Sequence, residues 1–175
     1  MIGGNRMFRS WKFIFLIAVS VILLTGCNQS LEERATDGVQ AAEKAFNSNH
    51  KKPTEKLDGI KLYKPAGFVV SEGSDAQNII FKKNNETFIL FVNPNEEQSS
   101  RLFYDLLVAD QSKETVAIET FTEDGVFGFA AVVQSDSENV ELITSVGGAK
   151  MTTLSKESKI VGHLTSMMEV VRSIK

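Results

Sequence analysis

The chain has little of what several function classes require. It holds a single cysteine in 175 residues, which excludes a disulfide framework within one molecule and any site built from clustered thiolates. Three prolines and twelve glycines exclude a collagen-like or low-complexity polymer. Two histidines, His50 and His163, give too few imidazoles for a His-based metal site. A net charge of −3 and a pI of about 5.5 exclude a dedicated nucleic-acid binder. No period of 20 to 50 residues recurs, so a solenoid or propeller is not expected. The one long apolar run, Phe13 to Leu24, would rise only about 18 Å as a helix, against a hydrocarbon core of about 30 Å. What remains is 42% hydrophobic and 23% charged, enough apolar material for one packed domain with appendages.

The first residues have a tripartite layout. Arg6, Arg9 and Lys12 precede the apolar run, and Leu24-Thr25-Gly26-Cys27 follows it, the order of a secretory signal peptide spanning residues 1–26. Removing its three basic residues leaves 16 basic against 22 acidic, a net charge of −6. Such a surface gains nothing from anionic headgroups. Beyond Cys27, Ser30 and Glu33 match a capping box, and Leu31, Ala35, Val39, Ala42 and Phe46 recur at helical spacing, predicting a helix over about 30–47. Gly38 weakens its middle by up to about 1 kcal/mol. That helix is either a partner-docking element or a short packed or marginal spacer. Asn47 to Lys56 lacks apolar residues and contains Pro53, which reads as an exposed linker. The expected organisation is therefore a tether over 27–58 and one domain over 59–175.

Within the domain the period alternates. Pro65-Ala66-Gly67 marks a turn, and Asn78 to Lys83 and Glu86 to Val92 flank Asn84-Asn85 as a hairpin. Asn93, Pro94 and Glu96 carry helix-start signals ahead of Leu102, Phe103, Leu106 and Leu107, predicting a helix at about Pro94–Ala109. Val116 to Ile118, Val126 to Gln134 and Val140 to Val146 read as a three-stranded meander, and a helix from about Lys159 closes the chain. The strands at Phe88 to Val92 and Val126 to Val133 are apolar on both faces, so both are expected to be covered on both sides. The fold class is α+β, an antiparallel sheet with helices packed on both faces, an α/β/α sandwich.

Chemistry is sparse. His163 sits beside the apolar stripe of the last helix, which suits a packing or boundary role better than proton transfer. Glu96-Glu97 and Glu123-Asp124 read as helix-start and turn residues. Asp136, Glu138 and Glu141 offer oxygen ligands but lack the spacing of a calcium loop. Gly147-Gly148-Ala149-Lys150 lacks the rest of a phosphate-binding motif and reads as a turn or bulge. The Phe-rich strands suit core packing more simply than a ligand pocket. No catalytic, cofactor or metal residue is expected, because no set of acid, base and nucleophile is visible.

Two resemblances add to this reading. Leu24-Thr25-Gly26-Cys27, placed behind a basic segment and an apolar run, resembles the lipobox of bacterial lipoproteins. The resemblance implies cleavage between Gly26 and Cys27, a covalent diacylglycerol and palmitate on Cys27, and residence on the extracytoplasmic face of the cell membrane. Asn28 rather than Asp after the cysteine lacks the usual inner-membrane retention signal. The order of elements over 59–175, with Tyr63-Lys64-Pro65-Ala66-Gly67-Phe68 and the closing Val170-Val171-Arg172-Ser173-Ile174, is similar to the PsbP/Mog1/DcrB-like fold. That resemblance implies a small binding or assembly factor without catalysis. The leading expectation is a lipid-anchored extracytoplasmic protein that binds a partner or supports envelope assembly, without catalysis. The alternatives are a lipoprotein with an apolar pocket for a lipid-like or cell-wall fragment and, behind it, a hydrolase.

Overall fold

Helical periodicity starts immediately after Ser30, and so does regular structure. The structure, a computed structural model, describes residues 29–48, 51–75 and 77–174. Helix α1 spans Leu31–Asn47, β1 Glu55–Leu57, β2 Ile60–Leu62, β3 Val69–Val70, β4 Asn78–Lys83 and β5 Glu86–Val92. Then come α2 at Leu102–Ala109, β6 Thr115–Glu123, β7 Val126–Gln134, β8 Asn139–Val146, β9 Ala149–Lys156 and α3 Ile160–Arg172. Among the described residues no helix is long and apolar enough to cross a membrane.

Strands β3 to β9 form one seven-stranded sheet in the order β3-β4-β5-β9-β8-β7-β6, every neighbouring pair antiparallel. β1 and β2 form a separate hairpin through Asp58 and Gly59, both at positive φ. The expected hairpin at Asn84-Asn85 joins β4 to β5, with Asn84 at φ 54°. An Asn tolerates that region through its short polar side chain.

Helices lie on both faces, giving the α+β sandwich. On the inner face α1 and α3 share a core with Phe81, Phe88, Leu90, Val132, Leu142 and Met151. On the outer face α2 presses Phe103 and Leu107 against Phe127, Phe129, Ala131, Val133 and Ile143. β7 therefore alternates between two cores, and both of its faces are buried.

Five expectations need correction. The helix placed in the tether belongs to the domain, which forms one compact unit from Leu31 onward. Its stripe Ala35, Val39, Ala42 and Phe46 is 0–3% exposed. Gly38 is a contact point there, since a Cβ would stand 2.5 Å from Ile160 Cγ2. The expected linker Asn47–Lys56 is engaged at its end, because Glu55–Leu57 pairs with β2 and Lys51 meets Glu169 at 3.3 Å.

The helix expected from Pro94 begins only at Leu102. Asn93 N donates to Gly148 O at 2.8 Å, and Phe127 N donates to Gln98 O at 2.9 Å, so this segment bonds to its neighbours instead of coiling. Gly147 and Gly148 permit the approach: a Cβ would lie 2.6 Å from Glu97 O on the first and 2.4 Å from Asn93 O on the second. Finally, the meander has a fourth strand, β9, which pairs with β5 and fuses the two halves of the sheet. β5 itself is only partly covered on its outer side, where Phe91 packs against Phe103 but Ile89 is 46% exposed.

Candidate functional site

The outward residues of β4, β5 and β9 make the candidate site. On these strands the outward set includes Ile80 and Lys82, then Thr87, Ile89 and Phe91, then Lys150, Thr152, Leu154 and Lys156, with Ile80 opposite Ile89, Ile89 opposite Thr152 and Phe91 opposite Lys150. Leu154 opposes Glu141 on β8. Ile89 and Leu154 are 46% and 59% exposed, large apolar side chains on a sheet whose other outer half is sealed by α2. They floor an open cleft of about 730 Å³ whose walls include Thr87, Thr152, Asn139 and Lys156.

The cleft continues toward α2. A smaller recess of about 160 Å³ shares Glu141 and Thr152 with it and reaches Leu106, Lys113 and Lys150. Lys113 pairs with Glu141, joining the loop after α2 to β8. Lys150 lies over the Phe103 ring at 5.0 Å, and burial there pulls its ammonium below the ordinary lysine range, with Glu141 opposing the shift.

At one end of the cleft lies a polar cluster that sequence reasoning missed. Ser155 Oγ stands 2.9 Å from His163 Nδ1, and His163 Nε2 stands 3.4 Å from Glu86 Oε2. Lys159 Nζ reaches the same carboxylate at 3.1 Å, and Phe88 packs edge-on against the imidazole. Burial pushes the His163 pKa down, Glu86 works against that shift, and Lys83 and Lys159 add to it. A neutral imidazole suits the geometry: the Ser155 hydroxyl can donate to Nδ1 while Nε2–H faces Glu86. Serine, histidine and carboxylate are thus brought together, contrary to the expectation that no such set exists. Ser155 is 2% exposed and turned to the inner side of the sheet, and with Glu86 and Lys159 it borders the end of the cleft.

The other candidates separate. Asp136 accepts from the backbone N–H of Glu138 and Asn139 at 2.8 Å each and from the Asn139 side chain, which lowers its pKa and shapes the β7–β8 turn, while Glu141 is held by Lys113. Among the described residues no group of three acidic, His or Cys side chains could hold a metal ion. Glu123 accepts from Arg172 at 2.9 Å, and Asp124 turns the β6–β7 hairpin at φ 50°. Gly26, Cys27 and His50 lie outside the described residues.

No family model matches the chain, and no curated protein does. Among solved structures it is similar to the solution structure of cyanobacterial PsbP (CyanoP) from Synechocystis sp. PCC 6803. The two are 15% identical, with a TM-score of 0.40, over 73% of this chain and 91% of that one.

Proposed function

We propose that this protein is a lipid-anchored, extracytoplasmic binding protein of the bacterial cell envelope that works through a protein partner and without catalysis. The observation that carries the partner is the bare outer half of the sheet: Ile89 and Leu154 remain exposed where α2 covers the rest. Exposed large apolar residues grouped in a cleft favour an interaction site. The openness of that cleft, and a core between sheet and helices filled by Phe46, Phe81 and Phe88, favour a protein surface over an enclosed pocket for a lipid-like fragment.

The anchor is argued from Leu24-Thr25-Gly26-Cys27 in its place behind Arg6, Arg9, Lys12 and the apolar run Phe13 to Leu24. Diacylglycerol on Cys27 and a further acyl chain would hold the chain durably, each buried CH₂ contributing about 0.8 kcal/mol. Metabolic labelling with radioactive palmitate tests this. The wild-type chain is expected to carry label in the membrane fraction, and Cys27→Ala to lose it and accumulate as precursor or released protein. An unlabelled wild-type chain contradicts the proposal.

A further inference from the structure

α2 has eight residues, about 12 Å of helix, and covers β7 and β8 on the outer face, reaching β5 and β9 only where Phe103 meets Phe91 and Lys150. The outward side chains of β4, β5 and β9 form a bare strip beside it. Three strands spaced about 4.8 Å apart give a strip as wide as one α-helix with its side chains, about 10 Å. The opposite face of the same sheet carries two helices, α1 and α3, so the outer layer is one helix short.

We propose that this strip docks an acidic amphipathic helix of a partner protein, completing the outer layer of the sandwich. The inference rests on the binding function proposed above and specifies the chemistry of the partner. Charge identifies the occupant. From Leu31 onward the domain carries a net charge of −6, yet the charged outward side chains of β4, β5 and β9 themselves are lysines, Lys82, Lys150 and Lys156. Lys82 and Lys156 have no ion-pair partner among the described residues, whereas Glu86 is met by Lys159 and His163, and Glu141 by Lys113. Carboxylates on an incoming helix would find two open ammonium groups, and a basic helix would meet like charge.

Shape separates this partner from a bilayer. Ile89 and Leu154 sit on the floor of a cleft, flanked by the α2 side that ends in Leu106, and apolar residues one turn apart on a helix can insert there. A flat membrane surface cannot follow them. Leu106 itself is 59% exposed and extends the apolar margin of the strip.

The test is site-specific photo-crosslinking in the full-length chain within its native envelope, with benzoylphenylalanine replacing Ile89, Leu154 or, on the far face of α3, Val161. Adducts from 89 and 154 are expected to map to a net-acidic amphipathic segment of another protein. Lys82→Glu with Lys156→Glu is expected to lower their yield about tenfold at unchanged protein level and melting temperature, and the Arg pair to preserve it. Adducts to lipid, to a second copy of this chain or to a basic segment overturn the inference, as does a yield indifferent to the charge reversal. Protein adducts from 161 alone would move the surface while leaving the binding function standing. Absence of protein adducts from all three positions would contradict the binding function itself.

Discussion

β5 and β7 read alike as sequences, each a run of apolar residues pointing alternately to both faces, but they meet different fates. β7 is buried on both sides: Phe127, Phe129, Ala131 and Val133 go under α2, and Ala130 and Val132 go under α1 and α3. β5 buries Phe88, Leu90 and Val92 on the inner side and leaves Ile89 in the open, with Phe91 sheltered only where Phe103 leans on it at 5.9 Å. An apolar side chain with no layer above it marks either a fault or an interface, and the cleft and charges around Ile89 argue for the second.

The largest expected effect lies on the covered strand. Phe129, 1% exposed and packed edge-on against Tyr104 at 5.7 Å, should cost about 3–5 kcal/mol when replaced by Ala, read by urea unfolding. A loss under about 1 kcal/mol would mean that α2 is not seated on β7. Next comes the boundary of the domain. Gly38→Val forces a side chain into Ile160 and Leu164, and should destabilise by about 1–3 kcal/mol. An unchanged unfolding curve would return α1 to the role of a loose tether.

The polar cluster should show itself through pH. The folded-state pKa of His163 lies below its unfolded value of 6.5, so below pH 6.5 the unfolded chain binds more protons than the folded one. Stability from this group is present above pH 6.5 and is lost as pH falls through the folded pKa. His163→Gln should therefore flatten the pH dependence of unfolding in that window relative to wild type. Parallel slopes for the two proteins would show that the imidazole is not held neutral. The smallest effect belongs to the bare strand: Ile89→Thr should change stability by less than about 1 kcal/mol, and a core-sized loss would mean that Ile89 is already covered by the chain itself.

What was legible in the sequence follows from how local each signal is. The β4–β5 hairpin and the two-sided burial of β7 were written in adjacent residues, and the stripe of α1 in its spacing. The membership of α1 in the core was obscured by Gly38 and by the polar stretch after it, because a glycine that weakens a lone helix also permits close approach in a packed pair. β9 went unread because its pattern is inverted, with Thr153 and Ser155 turned inward and Leu154 outward. Helix-start residues at Asn93, Pro94 and Glu96 lost to contacts with Gly147 and Gly148, some fifty residues away. The pairing of Glu86 with His163 likewise needs the sheet order before it can be seen.

The most direct measurement compares thiol labelling in the native envelope and after detergent extraction. With Cys27 capped by lipid as proposed, or otherwise labelled equally in every variant as the background, Ile89→Cys and Leu154→Cys each add one thiol on the bare strip, and Val161→Cys adds one on α3. If a partner completes the outer layer, the thiols at 89 and 154 react with a maleimide much more slowly in the envelope than after extraction, while the thiol at 161 reacts equally in both. Equal rates at 89 and 154 before and after extraction would contradict the account, since the strip would then stand uncovered where the protein works.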